Sequence, residues 1–304
     1  MYKRMLAPLD GSELAEVVLP YAKELAGRLN LELILFHVCE PPGVESQFMC
    51  RTYLDHVADV VQKKSREVQV KTGVSSGEKA AAVRVELGTG NPAEEILRYA
   101  EDNKVDLILI ASHGHSGVRR WILGSVADKV LRKSRVPVWL VRANISEEIV
   151  HDKWPERTIL VPLDGSIFSE SVLPHVEALA KQRGAELVNV VLLRVFEKPF
   201  ITADYPEPDS EAHEKRIINH FKQEAEHYLV KVEKRLADAG LNVRTEVLMG
   251  QPANEIINYA HNNPPNLIVM ATHGSSGLSL WEYGNITDKI LHGVSSPIFL
   301  VRPQ

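Results

Sequence analysis

The chain has 304 residues, enough for two globular domains at roughly 100–200 residues each, with a core in each. It is 44% hydrophobic and 25% charged, with 17 prolines and 18 glycines, which excludes collagenous, low-complexity and wholly disordered chains. Its 35 Lys and Arg against 40 Asp and Glu leave a net charge of −5, so no basic field exists to attract a polynucleotide or an anionic membrane, and neither is expected as a partner.

In chain order, residues 6–9 form an apolar run that ends at Asp10, and they predict a first strand. Leu14, Val17, Val18, Tyr21, Leu25 and Leu29 recur every three or four residues and predict a helix, with Ser12 placed to cap it and Pro20 to bend it. A second strand over 31–38 ends near Val38, and helix-period segments at 52–70, 93–103 and 125–133 separate further apolar runs at 83–87, 107–111 and 136–141. These runs are short, rich in Val, Ile and Leu, and apolar on both faces, as buried parallel strands are. Strands alternating with helices imply right-handed crossovers, hence an α/β fold with a doubly wound parallel sheet.

The pattern occurs twice. Met5-Leu6-Ala7-Pro8-Leu9-Asp10-Gly11-Ser12 returns as Ile159-Leu160-Val161-Pro162-Leu163-Asp164-Gly165-Ser166, Gly90-Asn91-Pro92-Ala93 as Gly250-Gln251-Pro252-Ala253, and Ser112-His113-Gly114 as Thr272-His273-Gly274. Two tandem domains are therefore expected, residues 1–142 and 157–304, with a polar linker over 143–156. Segment 201–213 of the second copy is acidic and carries prolines. It reads as a solvated loop leading into a long charged helix up to residue 239, and its length would also suit a lid over a second site. Val138-Trp139-Leu140-Val141 and Ile298-Phe299-Leu300-Val301 would leave apolar sheet edges. The expected remedy is pairing between the two copies, with a homodimer of chains as a further assembly.

In a doubly wound sheet a ligand binds beyond the carboxyl ends of the strands at the switch point. Asp10 ends the first strand there, and the fourth runs into Ala111-Ser112-His113-Gly114-His115-Ser116-Gly117, after which Gly124-Ser125 opens a helix. Such a loop suits a phosphate through free N–H groups and the helix dipole. Its glycines could equally serve turns, with Ser125 as a cap. Asp10 could bond ribose hydroxyls or a metal-bound water, or hold Gly11 and Ser12 in an Asx turn; its return as Asp164 favours the functional reading.

Other signals are weaker. Gly88-Thr89-Gly90-Asn91-Pro92-Ala93 fits a dinucleotide pattern, but it follows the third strand and reads as a strand-to-helix turn with Pro92 at the helix start. His113 and His115 have no nearby Cys, Asp or Glu in sequence, so no protein-held metal is expected there. Cys39 and Cys50, the two cysteines, form neither a disulfide framework nor a zinc-type ligand cluster and read as reduced thiols. Neither a G-x-S-x-G elbow nor a Walker A motif occurs, so neither a hydrolase triad nor a motor ATPase is expected. No signal peptide or run of about 18 apolar residues is found, and a cytoplasmic location is the expectation.

The Pro-Leu-Asp-Gly-Ser strand end, the Gly-x-Pro-Ala-Glu-Glu-Ile segment at 90–96 and Ser-His-Gly-x9-Gly-Ser at 112–125 together resemble the universal stress protein family in its tandem form, over nearly the whole chain. The resemblance implies an adenine-nucleotide alpha-hydrolase-like fold and a bound ATP, with or without Mg2+. The family's nucleotide motif Gly-x2-Gly-x9-Gly-(Ser/Thr) falls on Ala111, Gly114, Gly124 and Ser125, the first glycine being replaced. In the second copy it falls on Ala271, Gly274, Gly284 and Asn285, where the terminal hydroxyl is lost as well. Asp10 and Val38 would then face adenosine in the first copy, and Asp164 and Val195 in the second. The implied function is an ATP-binding regulatory protein of the stress response with at most slow hydrolysis. A nucleotide-free protein acting through protein contacts is the alternative. An enzyme would need a general base or nucleophile that the sequence does not identify.

Overall fold

The computed structural model of the chain describes residues 2–39, 44–74, 82–113, 123–142, 157–198, 210–273 and 284–303. Apolar runs without a polar face become sheet interior. In the first half β1 (Arg4–Pro8), β2 (Glu32–Cys39), β3 (Val83–Thr89), β4 (Leu107–Ala111) and β5 (Val138–Val141) alternate with α1 (Glu13–Glu16), α2 (Leu19–Leu29), α3 (Val44–Thr72), α4 (Pro92–Asp102) and α5 (Ser125–Lys133). The second half repeats this with β6 (Arg157–Pro162), α6 (Ile167–Glu170), α7 (Leu173–Arg183), β7 (Val188–Phe196), α8 (Ser210–Asp238), β8 (Asn242–Met249), α9 (Pro252–Asn262), β9 (Leu267–Ala271), α10 (Asn285–Gly293) and β10 (Ile298–Val301).

The strands form one sheet in the order β3-β2-β1-β4-β5-β10-β9-β6-β7-β8. Within each half every pairing is parallel, and the chain reverses direction across the sheet between β1 and β4, and again between β6 and β9. Each half is thus a doubly wound α/β unit. At the seam β5 and β10 run antiparallel, with Trp139 opposite Phe299. Alternation along the strands divides the core between two faces. One, with Met5, Leu33 and Leu35, packs under α3 through Leu54 and Val57 and under α8 through Leu229 and Val232. The other, with Leu6, Ile34 and Phe36, packs under α4 and α5 through Ile96 and Val130, and under α9 and α10 through Ile256 and Ile290.

Several expected elements are redrawn. The helix expected to bend at Pro20 is two helices, α1 and α2, with Pro20 in the first turn of the second, where its missing N–H and fixed φ suit a helix start. Helix α3 begins eight residues before the expected start at residue 52, because its first turns leave Phe48 and Met49 exposed and so show no apolar stripe. Strand β5 begins two residues later than expected, since Ser134 Oγ donates to the Val136 carbonyl at 2.7 Å and Pro137 follows. Residues 210–213 belong to α8. The linker 143–156 and segment 201–209, including any lid, lie outside the described residues.

Reciprocal arginines join the halves beside the seam. The Arg142 guanidinium donates to the Leu291 carbonyl in the last turn of α10, and Arg302 donates to the Arg132 carbonyl in the last turn of α5. Each cation meets the negative end of a helix dipole. Burial lowers the Arg142 pKa to about 10.

Candidate functional site

Beyond the carboxyl ends of β1 and β4 lies a cleft of about 310 Å³, at the lower end of the roughly 300–1,000 Å³ typical of small-molecule sites. Asp10, Val38, Ala111, Gly124 and Ser125 all line it, so five of the six residues proposed for the first copy meet. Gly114, the sixth, lies outside the described residues, as does Gly274 in the second copy. A second cavity, of about 130 Å³, lies between α2 and α7 over Trp139 and is away from these strand ends.

Asp10 makes the Asx turn. Its Oδ1 accepts from the Ser12 N–H at 3.0 Å and from Ser12 Oγ at 2.6 Å, and Ser12 Oγ in turn accepts from the Ala15 N–H at 3.2 Å to cap α1. Gly11, at φ +82°, completes the turn, and a Cβ there would meet nothing within 4 Å. The carboxylate is nonetheless exposed on the cleft wall, so the turn aims the group without burying it. Tyr53 donates to Glu16 Oε1 at 2.7 Å behind this turn and ties α3 to α1.

On the opposite wall the expected cap is revised. Gly124, with φ −63°, is the N-cap of α5, its side of the helix has no side-chain cap, and Ser125 is the first helical residue. The Gly124 N–H donates to the Ser112 carbonyl at 2.8 Å. That bond folds the end of β4 against the start of α5. A Cβ at Gly124 would lie 3.2 Å from the same carbonyl, so glycine is used here for close backbone approach rather than for a left-handed φ. The uncapped first turn of α5, with Ser125 exposed, opens on the cleft and can receive an anion. Ala111 is buried in the floor.

Sequence reasoning missed the apolar wall. Phe36, Pro92, Ile96 and Ile110 line the cleft and offer a flat surface for a planar ring. Phe36 lies two residues before Val38, hence on the same strand face, and that spacing was the available signal. The Gly88–Pro92 stretch is a strand-to-helix turn. The Asn91 side chain accepts from the Glu94 N–H at 3.3 Å, Pro92 starts α4, and a Cβ on Gly88 would meet the Phe36 ring at 2.8 Å. His113 lies on the cleft rim with its Nδ1 3.1 Å from Ser112 Oγ.

The second copy repeats the turn but not its surroundings. Asp164 Oδ1 accepts from the Ser166 N–H at 2.9 Å and from Ser166 Oγ at 2.6 Å. The Arg194 guanidinium closes over Gly165, where a Cβ would clash with it. Val195 is the neighbour of Arg194 on β7, Ala271 is buried at the end of β9, and Asn285 is the first residue of α10 after the N-cap Gly284. A Cβ on Gly284 would sit 3.7 Å from the Thr272 carbonyl, a looser approach than at Gly124.

The cysteines are not separate. Cys39, Cys50 and His37 bring their ligand atoms within 4.8 Å of one another, a convergence that their separation in the sequence does not show. Burial, and then Cys50, raise the Cys39 pKa to about 11.

The model of the universal stress protein family matches residues 1–142 and again 156–302. A universal stress protein of Bacillus subtilis, YxiE, is 30% identical over 148 residues, 47% of this chain and 100% of its own length. A universal stress protein of Mycolicibacterium smegmatis is 22% identical over 310 residues, covering 99% of this chain and 97% of its own. Among solved structures, a putative universal stress protein from Pseudomonas aeruginosa superposes with a TM-score of 0.68 at 16% identity, over 99% of this chain and 94% of that one.

Proposed function

This chain belongs to the universal stress protein family in both of its halves, and on that premise we propose that it is an ATP-binding regulatory protein of the cytoplasmic stress response, with at most slow hydrolysis. The observation that carries this reading is the first-copy cleft, where Asp10, an apolar wall and the uncapped start of α5 converge. Each part matches one part of the ligand. Phe36, Ile96 and Val38 provide an apolar face for the base, Asp10 an acceptor for ribose hydroxyls, and the N–H groups at the start of α5 donors for phosphate. One carboxylate with ligand phosphates is also the usual way Mg2+ is held. In this reading the second copy is the weaker site, because Asn285 stands in place of Ser125. The antiparallel seam then serves as an intramolecular form of the pairing made by two single-domain chains. Among the described residues no helix is long and apolar enough to cross a membrane.

The test is calorimetry of the purified full chain with ATP, ADP and adenosine, together with mass analysis of any nucleotide carried through purification. Saturable ATP binding supports the proposal. Absence of binding, with a normal melting curve, would transfer the function to protein contacts, a reading favoured by the exposure of Phe48 (72%) and Met49 (66%) on α3.

A further inference from the structure

The two cysteines meet on the face of the sheet opposite the nucleotide cleft. Phe36 and Val38 turn toward the cleft, so His37 and Cys39 turn toward α3 by the alternation of a strand, and α3 brings Cys50 to them. Cys39 is fully buried, while Cys50 and His37 are half-buried. His37 Nδ1 lies 2.8 Å from the Leu9 carbonyl. A carbonyl only accepts, so Nδ1 carries the proton and Nε2 keeps its lone pair. A backbone carbonyl that fixes the tautomer and leaves the other ring nitrogen basic is the usual support of a metal-ligating histidine.

We propose that Cys39, Cys50 and His37 form a binding site for one thiophilic cation, of which Zn2+ is the best match, with a fourth coordination position left for water or an incoming ligand. Two sulfurs and one imidazole are the donor set of soft and borderline cations and a poor one for Mg2+ or Ca2+. A tetrahedral site with Zn–S of about 2.3 Å and Zn–N of about 2.0–2.1 Å separates its ligand atoms by about 3.5–3.8 Å. Here each residue brings one ligand atom to within 4.8 Å of the others, so closing on a cation requires movements of about 1 Å. Two thiols lose their protons to solvent as the two metal–sulfur bonds form, and no oxidant or reductant enters.

The site belongs to the first half alone. Pairing of Pro8 with Phe36 and of Pro162 with Leu193 places Arg194 and Phe196 where His37 and Cys39 stand. Matching the buried Leu54, Val57 and Val61 of α3 to Leu229, Val232 and Leu236 of α8 places Ala225 where Cys50 stands. Leu9, whose carbonyl accepts the hydrogen bond from His37, precedes Asp10 on the cleft wall, so a cation here would brace the adenosine side from behind. The site itself does not depend on nucleotide binding.

The experiment uses the full chain, stripped of metal, reduced with a phosphine and free of nucleotide, titrated with Co2+ and then Zn2+. The expected result is one Co2+ per chain, with thiolate-to-metal charge transfer in the near ultraviolet, strong visible bands of a four-coordinate ion, and loss of both on adding one equivalent of Zn2+. Cys50→Ala, which places there the residue type that Ala225 supplies in the second half, should lower the affinity at least about tenfold and reduce the charge-transfer intensity, with its melting curve recorded beside that of the parent. His37→Gln should weaken binding while keeping the charge transfer of two thiolates. A parent chain without a stoichiometric charge-transfer band would overturn the proposal, and so would a band unchanged in Cys50→Ala. Either result leaves the ATP proposal standing, since that one is read by calorimetry without metal.

Discussion

At Asp10 one carboxylate oxygen is held by Ser12 through two hydrogen bonds, so Asp10→Ala would remove the turn together with any ligand contact. Asp10→Asn separates the two, because its amide oxygen can still accept from Ser12 while the charge is gone. It should weaken adenosine and ATP alike by about ten- to a hundredfold, corresponding to roughly 1.5–3 kcal/mol for a hydrogen bond to a charged group, and should barely change the melting temperature. Isothermal titration of both ligands checks this; unchanged affinities would leave Asp10 a turn former only. Gly124→Val makes the complementary test. Its branched side chain would press on the Ser112 carbonyl, 3.2 Å from the Cβ position, and move the start of α5. ATP binding should fall by a similar factor while adenosine binding persists, because the change lies on the phosphate side alone. Equal losses for both ligands would show that the whole cleft had shifted.

At the scale of elements, the strands and most helices could be read from the sequence because burial on both faces and a helical period leave opposite marks on an apolar pattern. The β4 run and the α5 span agree with the expected ranges residue for residue. The start of α3 was hidden because its first turns are not buried, and the convergence of Cys39 with Cys50 was hidden because it depends on how α3 lies across β2. Within the site, Asp10, Val38, Ala111, Gly124 and Ser125 were legible through the repeat and the family motif, whereas Phe36 and Ile96 looked like ordinary core. The two helix starts also differ as elements. The first offers Ser125 and an open Gly11 turn, the second Asn285 and a turn covered by Arg194. ATP titration should therefore resolve one strong site and a second at least about tenfold weaker, a difference of about 1.4 kcal/mol or more. Two equal sites would refute the asymmetry. At the seam, Phe299 is fully buried opposite Trp139, with ring centroids 5.8 Å apart in an edge contact. Phe299→Lys should cost more than the roughly 3 kcal/mol of lost apolar burial, since an ammonium would be buried as well. After proteolysis within 143–156 its halves should separate on gel filtration where those of the parent stay together.

For the whole molecule, the seam turns two five-stranded sheets into one of ten strands, so whatever weakens it is felt as global stability. His175 stands at this joint. Its Nδ1 is 2.6 Å from Tyr2 Oη, and its ring lies 5.7 Å from that of Phe299, which links α7 of the second half to the chain's N-terminus and to β10. Burial lowers its pKa below the ordinary 6.5, whereas the unfolded chain binds the same proton at about 6.5. Between those two values the unfolded state carries more protons, so the free energy of unfolding rises with pH across the window and is lost as pH falls below about 6.5. Protonation would also place a cation against an aromatic and aliphatic seam. The chain should therefore lose melting temperature as the pH falls below about 6.5. His175→Asn should start lower at the upper end, having lost the contact to Tyr2, and should fall less steeply, because its seam no longer contains a group that must stay neutral. Paired melting curves at several pH values decide it. Parallel slopes for parent and variant would place the acid sensitivity elsewhere, whereas convergence toward low pH would identify the joint between the halves as the place where acid loosens the fold.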